Sequence, residues 1–109
     1  MVTVFLASGF EEMEALAPID LLRREGVKVQ TAAVGTNPAM HGGKVVTGSH
    51  GVSVLCDIAA EEVCEEEMEM LVLPGGGLGT KNWNESPVVD RGLHYAAEKG
   101  IGIAAICAA

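Results

Sequence analysis

Four short apolar runs, at residues 2–7, 27–34, 68–73 and 101–106, alternate with longer stretches that carry helical periodicity. A short apolar run bounded by turn residues reads as a strand buried on both faces. Strands joined through helices pair in parallel and need helices on both sides of the sheet. The pattern therefore predicts an α/β fold with a mostly parallel sheet. No internal repeat, low-complexity tract or linker divides the chain, so residues 1–109 read as a single domain.

Residues 11–24 place apolar side chains at 13, 16, 17, 21 and 22, which is helical spacing. Acidic residues open this helix and Arg23 and Arg24 close it, as the macrodipole prefers. Gly26 is the expected stop. Pro18 cannot donate to the carbonyl of Glu14, so a kink is expected there. Ser86 followed by Pro87 is an N-cap with proline at the first helical position, predicting a helix to Lys99 that stops at Gly100. Between these elements, residues 35–51 read as a loop with a short strand at 44–47. A turn at 48–51 would bring residues 52–55 back as a hairpin. Residues 59–67 read as a short acidic helix, whose glutamates with Glu69 form a solvated face.

Composition narrows the function. The chain is 49% hydrophobic but only 4% aromatic, so its core must be built from Val, Ile, Leu, Ala and Met. A net charge of −8 argues against nucleic acid and anionic membrane surfaces as partners. No apolar run approaches the roughly 18–20 residues of a membrane span. The N-terminus opens on a strand pattern without a basic region, so no signal peptide is expected. Three cysteines do not make a disulfide framework, and a reducing cytoplasm fits them best.

The last residues carry the chemistry. An apolar run enters Cys107, which has alanine two positions away on either side, at Ala105 and Ala109. This small-x-nucleophile-x-small pattern matches a strand-to-helix elbow, where a tight turn presents a nucleophile above the sheet. A following helix would aim its N-terminal dipole at the sulfur and lower its pKa. That helix would lie past Ala109.

The glycine run after the third apolar segment, Gly75-Gly76-Gly77-Leu78-Gly79-Thr80, fits neither the dinucleotide fingerprint nor a P-loop. Glycines there would instead free backbone N–H groups to face a small anionic centre. In parallel sheets, ligands sit at the carboxyl ends of strands. Gly75-Gly76, Cys107 and residues 8–14 all follow such ends. Glu11, Glu12 and Glu14 can be read as decoration of a helix N-terminus. Alternatively Glu14, one turn from Glu11, could serve as a protonated acid beside the cysteine. Cys56 and Cys64 do not have zinc-ligand spacing, and Cys56 reads as a small buried hydrophobe. His41 and His50 read as loop residues and His94 as a surface residue of a helix.

Several segments together resemble a known family. They are residues 5–14 (Phe-Leu-Ala-Ser-Gly-Phe-Glu-Glu-Met-Glu), 18–29, 71–76 (Leu-Val-Leu-Pro-Gly-Gly) and 104–108 (Ala-Ala-Ile-Cys-Ala). In this order they resemble the DJ-1/PfpI superfamily, and within it the DJ-1, YajL and ThiJ branch. The resemblance implies a flavodoxin-like three-layer sandwich, similar to the class I glutamine amidotransferase domain, and a homodimer. It implies that Cys107 is an oxidisable nucleophile and that Glu14 is the acid hydrogen-bonded to it. Gly75, Gly76 and Ala108 would form the oxyanion site through their backbone. Neither a cofactor nor a metal is implied. Ala109 stands where many relatives have glycine. Relatives also continue past this point with the helix after the elbow and a histidine near the cysteine. The chain is therefore expected to be one DJ-1/PfpI-like domain incomplete at its C-terminus, completed by a further segment or a complementary chain.

The activity implied is attack of the Cys107 thiolate on a small reactive carbonyl, as in a glyoxalase or deglycase, with Glu14 shuttling the proton. The alternative is a redox-sensing stress protein or chaperone in which Cys107 is oxidised to a sulfinic acid. A peptidase of the PfpI type is the weaker reading, because it usually needs a histidine partner.

Overall fold

The computed structural model describes residues 1–36, 41–76 and 86–105. Its strands are β1 (Val2–Ala7), β2 (Val29–Val34), β3 (Val45–Thr47), β4 (Ser53–Leu55), β5 (Ile58–Ala59), β6 (Met70–Leu73) and β7 (Gly102–Ala105). Its α-helices are α1 (Glu12–Arg24) and α2 (Pro87–Lys99). Five strands form one parallel sheet in the order β5-β2-β1-β6-β7, while β3 and β4 make a separate antiparallel hairpin.

β1 lies at the centre of the sheet because it is apolar on both faces. Along its whole length it pairs with β2, and Val2, Thr3 and Val4 also pair with Met70, Leu71 and Val72 of β6. Its alternation sorts the core into two halves. Val4 and Leu6 pack with Ala15 and Ile19 of α1 and Val46 of the hairpin. Phe5 and Ala7 pack on the other face with Leu71, Leu73 and Val89 of α2. Each fully buried side chain of the size of Leu6 or Phe5 contributes about 1.5–3 kcal/mol. The result is a three-layer α/β sandwich of the flavodoxin-like kind, with helices on both faces.

Both helices start as the sequence predicts. Glu11 is the N-cap of α1, its Oε1 accepting from the Met13 N–H at 3.0 Å. Ser86 caps α2 by accepting from the Val89 N–H at 3.4 Å, with Pro87 at the first helical position. α1 runs on through Pro18 as one helix and ends before Gly26; α2 ends at Lys99.

One element differs from expectation. Residues 59–67 are not a helix. Ala59 ends β5, which pairs with Ala32 and Ala33 of β2, and two separate 3-10 turns follow at Ala60–Glu62 and Glu65–Glu67. A helix there would stack Glu61 over Glu65 and Glu62 over Glu66, and like charges four apart repel. Pairing with β2 instead removes Ala59 and Ala60 from water. Among the described residues, no helix is long and apolar enough to cross a membrane.

Candidate functional site

β1, β6 and β7 are parallel neighbours, so their carboxyl ends share one edge of the sheet. The loop after β1 and the loop after β6 meet there. The Glu11 N–H donates to the Gly75 carbonyl at 3.0 Å. Gly76 has φ +104°, and a Cβ on it would lie 2.6 Å from the Gly9 carbonyl oxygen and 2.8 Å from the Glu11 nitrogen. Only glycine allows two backbones to approach this closely in that conformation. At the third strand, Ala105 pairs with Leu73 at the end of β7. Cys107 and Ala108, the expected nucleophile and oxyanion donor, lie outside the described residues.

Glu14 sits in the first turn of α1, half-buried. Its Oε1 is buried and has no hydrogen-bond partner among the described residues. Buried polar atoms without partners are rare and costly, on the order of 1–3 kcal/mol, and they concentrate where function needs them. The structure thus brings Glu11, Gly75 and Gly76 together, with Glu14 one helical turn beyond Glu11.

Sequence reasoning missed a second constellation at the same end of α1. Glu12, expected to decorate the helix, is 7% exposed. Its Oε2 accepts from the His50 N–H at 2.8 Å and the Val52 N–H at 3.3 Å. Its Oε1 accepts from the Ser49 hydroxyl at 3.3 Å and lies 3.1 Å from His50 Nδ1. His50 Nδ1 is also 3.8 Å from Glu11 Oε2. The hairpin turn closes over this carboxylate so tightly that a Cβ on Gly48 would come within 2.4 Å of Glu12 Cδ. The turn is further tied to the loop after β1 by Gly9 N–H to Thr47 O at 2.9 Å and Ser49 N–H to Phe10 O at 2.8 Å.

Desolvation pushes the Glu12 carboxyl up, but hydrogen bonds from its own backbone, from the backbone and ring of His50 and from Val52 outweigh it. Together they hold it at about 2. Glu12 is therefore a carboxylate at neutral pH. The signal available in the sequence was the Gly-Ser-His-Gly turn itself. Nothing in residue spacing linked that turn to a glutamate 38 positions earlier.

Glu11, Glu12 and His50 are the described residues whose donor atoms could share a cation, all lying within 4.8 Å of one another. Both Glu12 oxygens are already committed to N–H and O–H donors. The positive end of the α1 dipole also faces them, which disfavours a cation. Of the cysteines described, Cys64 is exposed and Cys56 is buried. Burial pushes the Cys56 thiol up to about 11 against a hydrogen bond from Thr31, so it packs as the small hydrophobe expected.

The family model described as DJ-1/PfpI family matches residues 1–109. Among curated proteins, protein dj-1beta of Drosophila melanogaster is 40% identical over 106 residues, covering 97% of this chain and 54% of the relative. Deglycase TK1284 of Thermococcus kodakarensis is 39% identical over 75 residues, covering 69% of this chain and 41% of the relative. The solved structure of Toxoplasma gondii DJ-1 in an oxidised state superposes with a TM-score of 0.86 at 36% identity, covering 98% of this chain and 55% of that one. The chain spans about half the length of the curated relatives it matches.

Proposed function

The chain belongs to the DJ-1/PfpI family, and on that premise we propose that the protein is a cysteine-dependent enzyme acting on small reactive carbonyls. The observation that carries this reading is the buried Oε1 of Glu14, without a partner among the described residues, in the first turn of the helix that follows the loop after β1. A carboxyl held there without a partner suits a group that exchanges a proton with a substrate bound to the neighbouring strand's cysteine. The similarity to a deglycase over 69% of the chain supports the same substrate class.

In the proposed mechanism the Cys107 thiolate adds to the aldehyde carbon of a 2-oxoaldehyde and forms a hemithioacetal. Glu14 moves the proton from that carbon to the neighbouring one, while the hydroxyl proton passes to the neighbouring oxygen, giving a thioester of the 2-hydroxy acid. Water releases the 2-hydroxy acid and regenerates the thiolate. Backbone N–H groups around Gly75, Gly76 and Ala108 would hold the developing oxyanion.

A homodimer is part of the proposal. Met13 and Leu21 of α1 and Leu55 of β4, with Val52 beside it, are exposed although both elements cover the same face of the sheet, with Met13 at 78%. A second copy would remove that apolar surface from water. A cytoplasmic setting suits a thiolate nucleophile. The similarity to an oxidised DJ-1 structure favours a second reading, in which Cys107 oxidation is itself the signal.

Methylglyoxal consumption by the full-length protein, with product analysis for lactate, tests the carbonyl reading. Cys107→Ser should abolish turnover, and Glu14→Gln should lower it by roughly 100-fold or more. Turnover that survives Cys107→Ser would overturn the proposal.

A further inference from the structure

We propose that the peptide group between Phe10 and Glu11 is a conformational coupling device, tying the tip of the β3–β4 hairpin to the backbone of the glycine loop after β6 so that the two open and close together. The coupling is a property of the fold and holds whatever reaction the protein performs.

One plane carries both connections. The Phe10 carbonyl and the Glu11 N–H belong to the same peptide group, which resonance keeps flat, with its oxygen and its hydrogen on opposite sides. On one side the Phe10 oxygen accepts from the Ser49 N–H of the hairpin tip at 2.8 Å. On the other the Glu11 N–H donates to the Gly75 carbonyl at 3.0 Å. A flat group cannot turn to follow one partner without turning away from the other. Each bond also polarises the peptide group in the sense that strengthens its counterpart, as in any chain of hydrogen bonds. A second contact runs alongside. Gly9 N–H donates to Thr47 O at 2.9 Å, and the Gly9 carbonyl oxygen lies 2.6 Å from where a Cβ on Gly76 would stand.

The way the tip is fastened lets it move separately from the core. Val46, at the base of the hairpin, is buried with Val4 and Leu6. Beyond it, residues 47–52 are exposed apart from Gly48, so little apolar burial holds the tip. Its attachment is polar. It consists of the bonds to Gly9 and Phe10 and of the cluster on Glu12, which accepts from the His50 and Val52 N–H groups and from the Ser49 hydroxyl. Segments with few buried apolar contacts open at lower free energy than the core, and they do so as cooperative units. The Phe10 side chain is buried in the core, so its peptide group can turn while the residue stays in place. Glu12 is thus the catch, and the Phe10–Glu11 plane passes its release on to Gly75. Coupling of this kind is reciprocal, so whatever seats the glycine loop also seats the tip.

Native-state hydrogen exchange on the full-length protein, followed by NMR in rising but sub-denaturing urea, tests this. The amides of Gly9, Ser49, His50 and Val52 report on the tip, and that of Glu11 reports on its bond to Gly75. All of them should share one opening with a shallow urea dependence. They should exchange faster than the amides of the central strand β1, which await global unfolding. Glu12→Ala should reduce their protection together by roughly 10–100-fold, with Glu11 still on the isotherm of the tip and apart from β1. Glu11 exchanging on the isotherm of β1 while the tip opens locally would overturn the coupling. So would tip amides that open only with global unfolding, or a Glu11 amide whose protection stays unchanged when that of the tip falls. The wild-type isotherms decide the matter even if Glu12→Ala fails to fold.

Discussion

The backbone N–H of His50 donates to Glu12 Oε2 at 2.8 Å, so the tip of the β3–β4 hairpin hangs on the first turn of α1. One carboxylate thereby fixes the geometry of two elements beside the candidate site, and its ionisation becomes part of the stability of the fold.

The first prediction follows from that ionisation. Glu12 titrates at about 2 in the folded protein, against an ordinary value of 4.5. The unfolded chain therefore binds more protons between these values. The stabilisation from Glu12 is fully present above 4.5 and is lost as pH falls toward 2. Urea denaturation at a series of pH values should show wild-type stability falling more steeply below pH 4.5 than that of Glu12→Gln. Glu69, held low by the N-terminal amino group 2.9 Å away, falls in the same direction in both proteins and cancels in the comparison. Parallel profiles would show that Glu12 is not held ionised.

Gly48→Ala should destabilise the protein by about 1–3 kcal/mol, because the new methyl would collide with the end of the Glu12 side chain, which hydrogen bonds from Ser49, His50 and Val52 hold in place. In a double-mutant cycle with Glu12→Ala, the two costs should add to less than their sum, since removing the carboxylate removes the collision. Denaturation midpoints of the four proteins read this directly. Strict additivity would place the cost of Gly48→Ala elsewhere.

At Gly76 a side chain would meet backbone, which cannot swing aside. Gly76→Ala should cost about 1–3 kcal/mol from its positive φ, with further loss from the contacts at 2.6 and 2.8 Å. It should also lower carbonyl turnover by shifting the loop that carries the proposed oxyanion donors. Gly102→Ala is the control: its Cβ would meet only the Met70 side chain at 3.6 Å, and near wild-type stability is expected.

Thiol reactivity should rank the cysteines. Iodoacetamide labelling with peptide mapping at pH 6 should modify Cys107 first if the elbow lowers its pKa. Cys56, buried and pushed up to about 11, should remain unmodified until the protein unfolds. Thr31→Val removes its hydrogen-bond donor and should leave it at least as inert. Labelling of Cys56 ahead of exposed Cys64 would contradict the burial of Cys56.

The sequence by itself determined the elements whose signals are local. The run at 2–7 became β1 because its residues from Thr3 to Ala7 could all be buried, and Ser86-Pro87 started α2 because both residues act on their own helix turn. Membership of the DJ-1/PfpI family was legible for the same reason, since its motifs are short and contiguous. Glu14 was singled out by the residues around it, and its buried oxygen has no partner among the described residues.

What only the tertiary structure decided depends on residues far apart in the chain. Residues 59–67 lost a helix to β2, because pairing with Ala32 and Ala33 buries Ala59 while a helix would stack like charges. Glu12 read as decoration of a helix start. It became a buried anchor only when folding delivered two backbone N–H groups and an imidazole from the hairpin. Periodicity assigns a side chain to a face of its own element. It carries no information about which distant donor will meet it there, and that meeting turned His50 from a loop residue into an oriented ring.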